Sequence, residues 1–189
     1  MPKSVGSFVD DRADGERRRY LYIADAKGYL ALAQFGVIEF HAWGCRRDDI
    51  ERPDRITFDL DPGEGVRWRD TLAAAHAVRE VLAELGLTPF VKTTGGKGVH
   101  VVVPLLPGAD WKAVHAATAG IAAAIAARHP DSFVTNMAKQ KRKNRIFIDF
   151  HRNARSATAV APYSLRARRN LPASVPVNWN DLSSIDAPE

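Results

Sequence analysis

The chain predicts an α/β domain: a mixed β-sheet with helices packed on one face. Three observations carry this. Its 189 residues suffice for one domain with a sizeable core. Short apolar runs alternate with longer helical patterns in the order ββαββαβ, the pattern of a layered sheet-and-helix fold. The composition, 46% hydrophobic and 26% charged, is that of an ordinary globular protein.

Each element has a local reason. Residues 1–19 mix acidic and basic side chains with little apolar periodicity and read as a flexible segment, leaving 20–189 as the folded domain. Tyr20 to Ile23 is a short strand. Asp25 caps a helix that runs through Gln34 and is ended by Gly36. Val37 to Trp43 alternates, with Ile38, Phe40 and Ala42 on one side and Glu39 and His41 on the other. Arg46 to Arg55 is a polar loop containing Pro53. Ile56 to Asp61 is a strand stopped by Pro62-Gly63. Val66 to Leu85 carries Leu72, Ala75, Val78, Leu82 and Leu85 on one helical stripe, with Gly86 as its stop. Thr88 to Thr93 and Val99 to Pro104 are strands joined by a glycine-rich turn. Asp110 caps a further helix, which carries Val114, Ile121 and Ile125 and ends before Pro130. Phe133 to Thr135 and Ile146 to Phe150 are strands. From Asn153 onward the chain is turn-rich, with Pro162, Pro172 and Pro176.

Two of these strands carry acids that a buried strand does not normally tolerate, because desolvating a carboxylate is costly without a compensating cation. Asp59 and Asp61, at i and i+2, point to one face, with Leu60 turned the other way. Asp149 stands alone among Ile146, Phe147, Ile148 and Phe150 and faces away from both isoleucines. Such carboxylates suit Mg²⁺ or Mn²⁺, singly or as a pair. The turn Thr94-Gly95-Gly96-Lys97-Gly98 lacks the pattern of a Walker A loop and leads into a strand. Its glycines let backbone N–H groups approach an anion, Thr94 offers a hydroxyl, Lys97 a charge, and His100 follows on the next strand.

The net charge of +5 favours an anionic partner. Lys139, Lys141, Arg142, Lys143 and Arg145 form one basic cluster. Arg152, Arg155, Arg166, Arg168 and Arg169 follow it, so the two flank the Asp149 strand and point to nucleic acid or triphosphate. No apolar run approaches the roughly 18 residues of a membrane span, and Met1 to Arg19 lacks the apolar core of a signal peptide. The single cysteine, Cys45, fits a reducing cytoplasm and reads as a packing residue, as do Trp68, Trp111 and Trp179. His76, His115 and His129 lack metal-ligand spacing.

The order Asp-x-Asp, then Gly-Gly-Lys-Gly-x-His, then an apolar strand with one Asp resembles the archaeo-eukaryotic primase superfamily. The closer resemblance is to the polymerase domain of bacterial ligase D, the end-joining repair enzyme. It extends through Glu39 to Gly44, Arg52 to Arg55, Lys139 to Arg145 and Thr158 to Arg166, and covers about Tyr20 to Leu182. It implies a primase-like catalytic core in which Asp59, Asp61 and Asp149 hold two Mn²⁺ or Mg²⁺ ions. It makes Thr94, Lys97 and His100 triphosphate contacts, brings Arg152 to the same group, and places His41 near the bound nucleotide. The implied activity is template-dependent addition of nucleoside triphosphates, preferably ribonucleotides, to DNA 3′ ends in non-homologous end joining. Implied partners are primer-template DNA or DNA ends, a Ku-like end-binding protein and a DNA ligase, at the bacterial nucleoid.

Thr94 stands where relatives usually have serine, and Phe150 where tyrosine is frequent. On this resemblance, the N-terminal segment with which the family grips the 5′-phosphate of a DNA end is expected to be largely missing before Tyr20. The alternative expectation is therefore a nucleotide- or nucleic-acid-binding module without efficient primer extension.

Overall fold

The computed structural model describes residues 3–11, 17–106 and 108–187. Contacts divide the chain into two units, Met1–Ile38 and Glu39–Glu189. In the first, strands β1 (Val5–Asp11) and β2 (Arg17–Ile23) form an antiparallel hairpin followed by helix α1 (Ala26–Gln34). The segment expected to be flexible over 1–19 thus holds β1 and the start of β2. Met1, Pro2 and 12–16 lie outside the described residues. The reason lies in the register. Charges that read as an unordered mixture face one another, Asp10 opposite Arg18 and Asp11 opposite Arg17, the latter an ion pair at 2.9 Å. Phe8 stacks on Tyr20 with ring centroids 5.8 Å apart. Such cross-strand pairs stabilise a hairpin without leaving a periodic apolar signal. Asp25 caps α1, its Oδ1 accepting from the N–H groups of Lys27 at 2.9 Å and Gly28 at 3.2 Å. Gly36 follows the helix with φ of 78°.

The second unit runs β3 (His41–Trp43), β4 (Cys45–Arg46), β5 (Asp49–Pro53), β6 (Arg55–Pro62), α2 (Trp68–Glu84), β7 (Phe90–Thr93), β8 (Val99–Pro104), α3 (Trp111–Arg128), β9 (Phe133–Val134), β10 (Ile146–Asp149), β11 (Thr158–Val160) and β12 (Pro176–Val177). Six strands make one mixed sheet in the order β12-β7-β8-β6-β10-β9. Its neighbours are antiparallel except β9 and β10, which are parallel. The loop expected over 46–55 is instead the hairpin β4–β5. The strand expected over 37–43 shortens to β3, because only His41 to Trp43 meet a partner, β11. Before it, the Phe40 N–H donates to Ser164 Oγ at 2.8 Å.

Alternation sorts the sheet into two faces. Ile56, Phe58 and Leu60 of β6, Val99, Val101 and Val103 of β8, Val91 of β7, and Ile146 and Ile148 of β10 point to the core. There they meet Leu72, Ala75, Val78 and Leu82 of α2 and Val114, Ala122 and Ile125 of α3. Each valine, leucine, isoleucine or phenylalanine among them, where fully buried, contributes about 1.5–3 kcal/mol. Asp110 caps α3, its Oδ1 accepting from the Ala113 N–H at 2.8 Å. Both helices lie on this face, so the opposite face is left to Thr57, Asp59 and Asp61, to His100 and Lys92, and to Phe147 and Asp149. Among the described residues no helix is long and apolar enough to cross a membrane.

Candidate active site

Strand register places Asp149 opposite Asp59, Asp59 opposite His100, and His100 opposite Lys92. Four ionisable side chains therefore form a row across β10, β6, β8 and β7, with Asp61 two residues further along β6. Asp59, Asp61 and Asp149 each present a ligand oxygen, all within 4.8 Å of one another. Like charges facing across a ladder cost stability unless a cation lies between them. Arg152 supplies one. Its Nη2 lies 3.1 Å from Asp59 Oδ2, and its Nε lies 3.2 Å from Asp149 Oδ2. The resemblance put Arg152 on a triphosphate; here it bridges two of the carboxylates.

The short turn His151–Asn153 that carries Arg152 is fixed from both sides. The His151 N–H donates to Asp149 Oδ1 at 2.9 Å. Buried Asn153 accepts from the Thr57 N–H at 2.7 Å and donates to the carbonyls of Thr57 at 2.9 Å and Phe150 at 2.8 Å.

Burial opposes the charge of Asp59, but His100 and Arg152 outweigh it and hold its carboxyl below the usual carboxylate value. His100 Nε2 stands 3.4 Å from Asp59 Oδ1, an ion-pair distance rather than a good hydrogen bond, so that oxygen is buried without a donor. Burial also holds His100 below its ordinary value, and its Nδ1 is buried without a partner. Asp61 is pushed up to about 6, by burial first and then by Asp59 and Asp149. A divalent cation relieves both a donor-less carboxylate oxygen and a carboxylate crowded by its neighbours. An all-oxygen ligand set suits Mg²⁺ or Mn²⁺. The residues present fit such an ion.

A cavity of about 370 Å³ opens onto Asp59 and Asp61. His41, Lys97, His100, Arg142, Arg152, Arg166 and Arg168 line it, a strongly basic wall around two acids. The glycine turn forms one side. The Thr94 hydroxyl donates to the Gly98 carbonyl at 2.8 Å and accepts from the Gly96 N–H at 3.2 Å, so it shapes the turn from within. Gly98 lies directly on β6: a Cβ there would sit 2.5 Å from the Leu60 carbonyl oxygen. Gly95, at φ of 65°, faces Arg166 and Ala173 rather than the cavity.

The basic cluster divides. Arg142 joins the cavity wall, its Nη1 4.0 Å from Asp61 Oδ2 and its guanidinium 3.9 Å from the Phe147 ring centroid. Lys139, Lys141 and Lys143 are exposed and Arg145 half-exposed, and none lines the cavity. Arg166, grouped from sequence with the nucleic-acid contacts, also stands in the cavity wall. Its Nε donates to Glu39 Oε1 at 2.9 Å and its Nη1 to the Thr94 carbonyl at 2.7 Å.

Sequence reasoning assigned no role to Glu39 or Lys92, and gave Arg168 only a place in the second basic cluster. Lys92 carried the same signal as Asp149, a charge inside an apolar strand. It is buried, its ammonium is pushed down to about 8 by burial, and its Nζ donates to Ser174 Oγ at 2.7 Å. Arg168 carried no signal beyond its charge; its guanidinium lies against Gly96. Cys45 is half-buried, and burial pushes its thiol up to about 11, which makes it a poor nucleophile at neutral pH.

The family described as LigD, primase-polymerase domain, matches residues 1–189. The multifunctional non-homologous end joining protein LigD of Pseudomonas aeruginosa is 39% identical over 177 residues, which are 94% of this chain and 21% of that protein. The bifunctional non-homologous end joining protein LigD of Bacillus subtilis is 26% identical over 184 residues, 97% of this chain and 30% of that protein. The chain thus spans less than a third of the length of these curated relatives. The polymerase domain of Mycobacterium tuberculosis ligase D, solved in complex with DNA, matches with a TM-score of 0.89 at 28% identity, over 98% of this chain and 68% of that one. The fold, the facing aspartates and the whole-length match agree: this chain belongs to the LigD primase-polymerase domain family.

Proposed function

We propose that this domain is a template-dependent nucleotidyltransferase that adds nucleoside triphosphates to DNA 3′ ends during end joining. The observation that carries this reading is the meeting, in one cavity, of carboxylates able to hold divalent metal and a basic wall built on a glycine turn. Asp59, Asp61 and Asp149 would hold Mn²⁺ or Mg²⁺, which supplies charge neutralisation at the attacking and leaving oxygens of an in-line displacement. The primer 3′-hydroxyl loses its proton to solvent, its oxygen forms a bond to the α-phosphorus, the bond to the oxygen bridging to the β-phosphate breaks, and pyrophosphate leaves. Lys97, with Arg166 and Arg168, offsets the charge of the triphosphate, and the backbone N–H groups of Gly96 and Gly98 lie within the same turn. Arg152 balances Asp59 and Asp149 and reaches the cavity with the same side chain. A preference for ribonucleotides, and work alongside a Ku-like protein and a ligase, are carried by the family alone.

Primer extension tests the reading. Wild type should extend a DNA primer on its template with ribonucleoside triphosphates and Mn²⁺, and Asp149→Ala should show no extension while retaining a cooperative melt. No extension by wild type, or wild-type rates in the variant, overturns it.

A further inference from the structure

We propose that Glu39 is a positioning residue, holding His41 and Arg166 in place for the phosphate groups of a nucleoside triphosphate. This rests on the nucleotide-binding reading above. One carboxylate serves three donors: Glu39 Oε1 accepts from His41 Nε2 at 2.6 Å and from Arg166 Nε at 2.9 Å, and Oε2 accepts from the Ala167 N–H at 2.8 Å. Arg166 in turn donates through Nη1 to the carbonyl of Thr94, at the start of the glycine turn. Three segments remote in sequence, at 39–41, 94–98 and 166–167, are thereby tied together through one side chain. His41 and Arg166 line the cavity; Glu39 does not.

The chemistry makes the arrangement directional. The Glu39 carboxyl is held at about 2 by the hydrogen bond from His41 and then by that from the Ala167 N–H, so it is ionised and can only accept. His41 must therefore spend its Nε2–H on Glu39, which leaves Nδ1 as the ring nitrogen available to a ligand. An acidic side chain beside an anion site repels the anion if it faces it. Turned onto two of that site's own side chains, it limits the freedom of an imidazole and a guanidinium that would otherwise be ordered at the ligand's expense.

Calorimetric titration of ATP with Mn²⁺ into wild type, Glu39→Gln, the pair His41→Ala/Arg166→Ala, and the triple combination tests this. Glu39→Gln should weaken binding about tenfold or more, ~1.4 kcal/mol. On the paired background the same substitution should change affinity less than about twofold, because its two clients are gone. A merely structural role would give the same loss on both backgrounds, and that result overturns the proposal. So does wild-type affinity in Glu39→Gln. If Glu39→Gln melts well below wild type, Glu39→Asp takes its place: affinity partly retained supports the assignment, and affinity lost as fully as in the paired variant overturns it. Wild type failing to bind ATP, or the paired variant binding as wild type, removes the nucleotide reading itself. A silent Glu39→Gln with the paired variant impaired removes only the role of Glu39.

Discussion

Asp61 shows how much of a side chain's behaviour its neighbours set. Its carboxyl, ordinarily at 3.8, is raised to about 6 by burial and by Asp59 and Asp149. The folded protein therefore holds this proton more tightly than the unfolded chain does, and ionising Asp61 costs stability as pH rises from about 4 through 6. At pH 7 the metal-free Asp61→Asn variant should be more stable than wild type. About 1 kcal/mol is expected, allowing for the solvent around a half-exposed carboxylate. The gain should shrink through pH 6 and be gone below pH 4. With Mn²⁺ the order should reverse, since wild type gains a ligand that the variant holds poorly. Thermal melts in chelator and in Mn²⁺ at several pH values measure this. Equal stability in chelator at pH 7 would show that Asp59 and Asp149 do not load Asp61.

Among the elements, the turn His151–Asn153 does more than its three residues promise. Asn153 makes one accepting and two donating hydrogen bonds, and it ties the turn after β10 to the backbone of β6. Asn153→Ala leaves the buried Thr57 N–H and carbonyl unpaired, and should cost about 2–4 kcal/mol of folding stability. Nucleotide incorporation should fall with it, because Arg152 loses its base. Urea denaturation checks the first effect; a loss below about 0.5 kcal/mol would mean that water replaces the side chain. The same scale explains which elements the sequence revealed. The strands β6, β8 and β10 and the helices α2 and α3 announced themselves by period, because one face of each is apolar. Strand β1 and the hairpin β4–β5 did not, and of β2 only Tyr20 to Ile23 was read, because these pairs are held by cross-strand contacts, charged and aromatic, rather than by a periodic apolar face.

At the scale of the molecule, two populations of cations stand apart. Arg142, Arg152, Arg166 and Arg168 line the cavity, while Lys139, Lys141 and Lys143 face solvent. The second group suits a nucleic-acid backbone. Replacing the three lysines by alanine should weaken duplex DNA binding without sequence preference. The slope of log affinity against log salt should flatten by about 2–3, from the release of one counterion per phosphate contact. ATP affinity should not change. Titrations at several salt concentrations decide it, and an unchanged slope would remove these lysines from the DNA contact.

Asp59, Asp61 and Asp149 were legible as a set before any coordinates, because a charge in an apolar strand is conspicuous and alternation alone says which way it points. The glycine turn was legible for a related reason, its residues being local to one another. Tertiary structure alone decided the pairing of those pieces: that β10 lies antiparallel to β6 with Asp149 opposite Asp59, that Arg152 spans them, and that Arg142 and Arg166 leave their clusters to wall the cavity. It also decided that Glu39 reaches across 127 positions to Arg166. Strand period, turns and caps are written by residues within a few positions of each other, so one chain suffices to read them. Register between strands and contacts between distant loops depend on how the whole core closes, and no local pattern encodes them.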